Sequence, residues 1–273
     1  MKIKFWGARG SIPVSGKEYI KYGGSTTCVE INSSDGKLIV VDAGTGIRRL
    51  GTRLLSDKTK EINMIFTHSH WDHLLGFPFF KPIYYSGTKI NMFGCPFAQK
   101  SIKHMLAHTM RPPYFPVKYE DIKVIIRYQG YCSTSFYIGN VEIKPIPLSH
   151  PNQGIGYKFI ENGKTFVFLT DNELEYIHPG GLGFDDYAKF SDGADLLVHD
   201  AEFTEKEYVK VKTWGHSTFT DAVKLAKVAG VEKLAFWHHN QDRTDAELDK
   251  ILDFYNGKKN RLPNILPLMK ARK

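Results

Sequence analysis

Three cysteines in 273 residues, Cys28, Cys95 and Cys132, are too few, too far apart and odd in number for a disulfide framework, and none stands in the paired spacing of a cysteine-based zinc finger. They read as buried thiols. No stretch approaches the roughly 18 consecutive apolar residues of a membrane-spanning helix, and the opening Met1-Lys2-Ile3-Lys4-Phe5-Trp6 lacks the long apolar run of a secretory signal. The expectation is a cytoplasmic protein with no membrane partner. Long basic runs and nucleic-acid-binding signatures are missing too. The formal charge of +8 is a modest excess of 37 basic over 29 acidic residues, which favours anionic ligands weakly and makes nucleic acid a secondary expectation. Apolar residues are not scarce: at 42% of the chain they suffice for a packed core, so disorder is not expected and residues 1–273 read as one folded domain.

What is there is concentrated. The run Thr67-His68-Ser69-His70-Trp71-Asp72-His73 places four candidate metal ligands within six residues, directly after the apolar segment Ile62-Asn63-Met64-Ile65-Phe66. In extended backbone, residues i and i+2 point the same way, so His68 and His70 can grip one ion, while a bend beyond Trp71 re-aims Asp72 and His73 toward a second. Neutral imidazole and carboxylate suit zinc and its neighbours, and two ions roughly 3.5–4 Å apart are a recognised device for hydrolysis. A structural role for so many polar groups at a strand end would leave buried donors and acceptors without partners.

The coarse pattern is mixed α/β. Apolar, β-rich runs cover residues 2 to 6, 27 to 32 and 37 to 41; Ser33-Ser34-Asp35-Gly36 and Glu161-Asn162-Gly163-Lys164 read as hairpin turns, the second with the Asn-Gly pair preferred in two-residue loops. Ile47, Leu50, Leu54 and Leu55 form one helical stripe. Ala222, Val223, Leu225, Ala226 and Ala229 form another, opened by the capping sequence Ser217-Thr218-Phe219-Thr220-Asp221 and closed by Gly230.

Through the His-x-His-x-Asp-His run and three later segments, the chain resembles the metallo-β-lactamase-fold hydrolases. His150 in Pro147-Leu148-Ser149-His150, Asp171 in Phe168-Leu169-Thr170-Asp171 and His238 in Leu234-Ala235-Phe236-Trp237-His238 stand in that superfamily's order of ligands, each after an apolar, β-rich run. The resemblance implies an αββα sandwich. It implies two divalent metal ions, zinc first with manganese or iron as alternatives: one held by His68, His70 and His150, the other by Asp72, His73 and His238, with Asp171 between them. Asp42 would support the His-x-His loop, and His199 would act similarly. His104, His108, His178 and His239 match no motif and read as surface or structural residues.

Within the superfamily, the segments around His199-Asp200-Ala201-Glu202 and Gly215-His216-Ser217-Thr218 look like the phosphodiesterase branch that includes tRNA 3′-processing endonuclease (tRNase Z), with Asp200 replacing that branch's glutamate. The opening Phe5-Trp6-Gly7-Ala8-Arg9-Gly10-Ser11-Ile12-Pro13 and the stretch Gly76-Phe77-Pro78-Phe79-Phe80 instead look like small bacterial cyclic-phosphate or cyclic-nucleotide phosphodiesterases. The implied reaction is attack on phosphorus by a hydroxide held between the ions and oriented by Asp72, with His216, held by Asp200, protonating the leaving alkoxide. Two divalent ions opposed by Asp72, Asp171 and that hydroxide leave a small positive charge facing the pocket, suited to a small anionic phosphodiester. A tRNA substrate and a carbon-ester, lactone or lactam hydrolase of the same fold remain as alternatives; so does a non-hydrolytic metal-dependent protein. Residues 97–133, with Arg111-Pro112-Pro113-Tyr114-Phe115-Pro116, read as a packed excursion or as a lid or homodimer contact, and they lack the Gly/Pro-rich arm with which tRNase Z holds tRNA.

Overall fold

The computed structural model describes residues 1–94, 96–130, 135–257 and 263–267. Its first sheet runs β1 (Lys2–Gly7), β2 (Cys28–Asn32), β3 (Leu38–Val41), β4 (Glu61–Ile65), β5 (Lys89–Gly94), β6 (Ile125–Gly130), in that spatial order. The second contains β7 (Phe136–Ile138), β8 (Val141–Leu148), β9 (Gly154–Glu161), β10 (Lys164–Leu169), β11 (Leu196–Asp200), β12 (Lys233–Trp237) and β13 (Asn264–Leu266), again as sequential neighbours. Each sheet begins with antiparallel hairpins and ends in parallel strands. Parallel neighbours need crossovers, and these supply the helices α1 (Ile47–Ser56), α2 (Trp71–Leu74), α3 (Pro96–Thr109), α4 (Phe184–Phe190), α5 (Glu205–Val211), α6 (Phe219–Val228) and α7 (Asp245–Asn256).

The period of two along the strands builds three apolar layers. Ile39 and Val41 face the inter-sheet layer with Ile65, Phe166, Phe168, Val198 and Trp237, whereas Val40, Ile62 and Met64 face α1 with its Ile47, Leu50 and Leu54. On the far side Val167, Leu169, Leu197, Leu234 and Phe236 pack against α6 and α7. Helix, sheet, sheet, helix: this is the αββα sandwich expected from the sequence. The small motifs agree with it. Asn162 and Gly163 take φ 51° and 71° as a two-residue hairpin requires, Thr218 caps α6 by accepting from the Asp221 N–H (3.1 Å), and Gly230 ends it at φ 62°.

Over its described residues the 97–133 segment is the crossover that delivers β6 to the edge of the first sheet, with Leu106, Met110, Tyr119 and Val124 buried beneath it. Phe115 meets Phe79 edge-on (5.5 Å between centroids, 84°), which brings the crossover against the residues just past the metal-ligand run. Cys28 is buried, as expected; Cys95 and Cys132 lie outside the described residues. Among the described residues no helix is long and apolar enough to cross a membrane.

Candidate metal centre

Strand direction gathers the site. β8 lies two antiparallel steps from β10, which is parallel to β11 and β12, so all four end at one edge of the second sheet, facing the ends of β3 and β4 in the first. Just past those ends stand Asp42, His68, His150, Asp171 and His238, with Asp200 closing β11. Asp42, Asp171 and His238 adopt φ of 61°, 49° and 56°. Left-handed backbone at a strand's end turns the side chain inward across the edge, and it costs about 1–3 kcal/mol per residue, a cost sustained only where the surroundings fix it.

Four overlapping groups of ligand atoms result among the described residues, the atoms within each inside 4.8 Å of one another: His68, His70 and His150; Asp72, His73, Asp171 and His238; His150, Asp171 and His216; and Asp200, His216 and His238. The first two share out the seven ligands expected from the sequence. His70 Nδ1 faces His150 Nε2 at 3.1 Å, His73 Nε2 lies 3.3 Å from both Asp72 Oδ2 and Asp171 Oδ1, and His238 Nε2 lies 3.2 Å from Asp72 Oδ2 and Asp171 Oδ2. A tetrahedral ion with bonds of 2.0–2.1 Å separates its ligands by about 3.3 Å, so these edges have the size a divalent cation needs. Asp171 Oδ2 also lies 3.6 Å from His68 Nε2 and 3.9 Å from His150 Nε2, which places this carboxylate between the groups.

The hydrogen bonds behind the imidazoles make the same point. His73 Nδ1 donates to Asp42 Oδ2 (2.8 Å), His150 Nδ1 to the Gly215 carbonyl (2.9 Å) and His238 Nδ1 to Glu202 Oε2 (2.9 Å). Thr67 gives its hydroxyl proton to Asp42 Oδ2 (2.7 Å), so its oxygen is left to accept from His68 Nδ1 (3.1 Å). In all four rings Nδ1 is therefore committed to a partner and Nε2 is aimed inward; against the effect of burial the carboxylates beside them raise the His73 and His238 pKa well above the ordinary value, positive charge that a cation bound at Nε2 would replace. His68 Nε2 and His73 Nε2 are buried with no hydrogen-bond partner, an arrangement that costs about 1–3 kcal/mol per group unless a cation takes the lone pair. The residues fit two divalent ions.

Electrostatics fit as well. Burial pushes the His68 pKa well below its ordinary value and that of His150 to about 3, keeping both neutral. Burial acts against charge on Asp171 and Asp72 too, yet neighbouring histidines hold both carboxyls well below the usual range, His238 and His73 for Asp171, His73 and His238 for Asp72. Beside the ligands, His216 Nδ1 donates to Asp200 Oδ2 at 2.6 Å, and Asp200 Oδ1 accepts from the Ser217 N–H (3.1 Å). Against the effect of burial, Asp200 and Glu202 raise the His216 pKa. Its ring stacks on His238 (4.4 Å, 17°) and meets His150 edge-on (5.2 Å, 62°).

Sequence reasoning missed the groups that hold the ligands from far away in the chain. Glu202 stands two residues beyond Asp200, on the same side of an extended segment, and that spacing was its one local signal. The Gly215 carbonyl had none. Glu173 accepts from Tyr208 Oη (2.6 Å), the Thr213 and Gly215 N–H groups (2.7 and 2.8 Å) and His178 Nε2 (2.8 Å), pinning the 213–216 loop. His178 and His239 are buried and His104 and His108 lie on exposed parts of α3, while His199 is bound to Asn172 (3.2 Å) and donates from Nδ1 to the Asp200 carbonyl (2.7 Å). The N-terminal loop closes the other side: Ser11 N–H donates to Asp72 Oδ2 (3.1 Å), and a Cβ on Gly10 would sit 2.2 Å from His238 Nδ1. Between this loop and the Gly76–Phe79 turn lies a cavity of about 530 Å³, lined by Ser15, Tyr19, Ser25, Thr45, Arg48 and Phe79 among others.

Comparison with known proteins agrees with this fold. The chain is similar to Ribonuclease Z of Haloarcula marismortui, with 24% identity covering 93% of this chain and 90% of that one. Among solved structures it is similar to the metallo-beta-lactamase fold protein YhfI of Bacillus subtilis (17% identity, 92% and 91% coverage, TM-score 0.65) and to a diphosphatase from the PhnP family (19%, 91% and 90%, TM-score 0.65). Residues 37–239, which carry every candidate ligand from His68 to His238, match the family described as "Beta-lactamase superfamily domain", and the chain belongs to that superfamily with the metallo-β-lactamase fold.

Proposed function

We propose that the chain is a two-metal phosphodiesterase whose substrate is a small nucleotide-type diester, a cyclic nucleotide or cyclic ribose phosphate being the first class to test. The Asp200–His216 pair, seated against His238 and His150, carries this reading. Cleavage of a phosphodiester expels an alkoxide that needs a proton, and a buried carboxylate holding an imidazole beside the ligands supplies one. Acyl hydrolysis has no evident use for it.

Two divalent cations, held by His68, His70 and His150 and by Asp72, His73 and His238 with Asp171 reaching both, would lower the pKa of water to about 7 and draw charge from the phosphoryl oxygens. Asp72 Oδ2, fixed by the Ser11 N–H, orients the attacking water. His216, with Nδ1–H committed to Asp200, delivers its other proton from Nε2 to the departing oxygen. Gly10 and Gly215 let backbone press directly on His238 and His150, which keeps bulk water from the rear of the ligands.

A second reading, cleavage at the 3′ side of an RNA, is favoured by the Ribonuclease Z relative and its coverage of nearly the whole of both chains. Both are tested together. Metal-replete protein is assayed against bis(p-nitrophenyl) phosphate, 2′,3′- and 3′,5′-cyclic nucleotides, ribose cyclic phosphate, a precursor tRNA, a lactone and a lactam. Diester cleavage supports the proposal, and preference within the panel selects the substrate. Ready cleavage of lactone or lactam with no activity on any diester would replace it with acyl hydrolysis.

A further inference from the structure

The chain has four tryptophans. Trp6 and Trp237 are buried in the sandwich at 6% and 0% exposure, whereas Trp71 and Trp214 are 74% and 62% exposed. Both exposed rings belong to the segments that build the metal centre. Trp71 stands between the ligands His70 and Asp72, and Trp214 precedes Gly215, whose carbonyl holds His150, and His216. A short path of contacts joins them: Trp71 adjoins His70, His70 Nδ1 faces His150 Nε2 at 3.1 Å, and His150 Nδ1 reaches Gly215 at 2.9 Å, with Trp214 next in the chain.

Neither ring is on a loose loop. The N–H groups on either side of Trp214, those of Thr213 and Gly215, both donate to the buried Glu173 carboxylate (2.7 and 2.8 Å), and the Trp214 N–H donates to the Val211 carbonyl (3.0 Å). Trp71 opens a helical turn fixed by its neighbouring ligands and by the His73 N–H on the His70 carbonyl (3.0 Å). A large apolar ring held in water on rigid backbone loses little entropy when a flat partner covers it. Exposed cations stand in neighbouring segments: among the described residues Arg48, which lines the cavity with Gly76 and Phe79, and Lys210 and Lys212, a few residues before Trp214 in the chain, form no ion pair. Exposed aromatic rings in the segments that carry the candidate ligands, with cations in the segments next to them, match the chemistry of single-stranded nucleotides, whose bases stack and whose outer phosphates need countercharge.

We propose that Trp71 and Trp214 are stacking platforms for the two nucleobases that flank the scissile phosphate, so that the preferred substrate is a linear diester joining two nucleosides, ahead of a cyclic mononucleotide with its single base. This rests on the phosphodiesterase reading and, within small nucleotide-type diesters, puts a linear dinucleoside diester ahead of the cyclic class named there. The rings touch base, not metal, so they govern recognition and leave the ligand set alone.

The test compares adenylyl-3′,5′-adenosine with its analogue lacking both bases, using holoenzyme whose metal content is checked for every variant. Stacking removed by alanine corresponds to about a 5- to 150-fold effect per base. The dinucleotide-to-abasic ratio of kcat/KM should fall by that factor in Trp71→Ala and again in Trp214→Ala, with the two losses multiplying in the double variant. Trp71→Phe and Trp214→Phe should keep most of the preference. A methylphosphonate-linked, uncleavable dinucleotide should quench the fluorescence of the exposed tryptophans, and each alanine variant should lose part of the quenching. An unchanged ratio in either alanine variant, or 2′,3′-cyclic AMP cleaved in preference to the dinucleotide, overturns the platforms while cleavage of bis(p-nitrophenyl) phosphate still upholds the phosphodiesterase. Holoenzyme that cleaves no diester rejects both.

Discussion

Replacing His216 by alanine tests the proposed proton delivery separately from metal binding. The imidazole is held at 2.6 Å by Asp200, whose second oxygen is itself fixed by the Ser217 N–H, so the donor is positioned before substrate arrives. A positioned general acid is worth about 10²–10⁴ in rate, or roughly 3–5 kcal/mol of barrier. None of the ligand rings depends on His216 for its Nδ1 hydrogen bond; those partners are Thr67, Asp42, Gly215 and Glu202. Elemental analysis of His216→Ala should therefore still give about two ions per chain. The rate defect should depend on the leaving group: near the full factor for a ribose alkoxide, much smaller for p-nitrophenolate, which departs without a proton. Asp200→Asn should mimic the loss because it unsettles the same imidazole, and the double variant should be little worse than either single one. Equal losses on activated and unactivated diesters, or loss of metal, would refute proton donation and move His216 to phosphate binding.

Three further outcomes are expected. His70→Ala should lose most bound metal, because His70 Nδ1 faces His150 Nε2 across one ion position; two ions per chain retained by that variant would remove His70 from the ligand set. Gly10→Ala would drive a methyl to 2.2 Å from His238 Nδ1, so metal affinity and activity should fall by at least tenfold with little change in the circular dichroism spectrum. Burial holds the His199 pKa down to about 4, so the folded chain resists its protonation while the unfolded chain binds that proton below about 6.5. Stability should thus decline as pH falls, by about 2 kcal/mol between pH 7.5 and pH 5 from this residue, and urea titrations of His199→Gln in the same metal state should show that much less acid sensitivity.

The sequence alone determined the parts of this protein that are local. His68, His70, Asp72 and His73 are legible because an extended strand end leading into a turn fixes their relative directions within a few residues. Strand alternation, the Asn162-Gly163 hairpin and the Thr218 cap are legible for the same reason. The rest of the candidate ligand set was readable only by resemblance: nothing in the residues around His150, Asp171 or His238 says which strand ends will face one another, since that depends on packing the two sheets together, with contacts spanning 80 positions for His70 and His150 and 166 for Asp72 and His238. The sandwich decides it by ending β4, β8, β10 and β12 along one cleft. Glu202 behind His238, the Gly215 carbonyl behind His150 and the Glu173 carboxylate behind the 213–216 loop were invisible, because a hydrogen-bond partner supplied by folding leaves no periodic trace. The same holds for the tryptophans. By composition the four are alike, and only the tertiary structure buries Trp6 and Trp237 between packed layers while leaving Trp71 and Trp214 exposed in the segments that carry the candidate ligands.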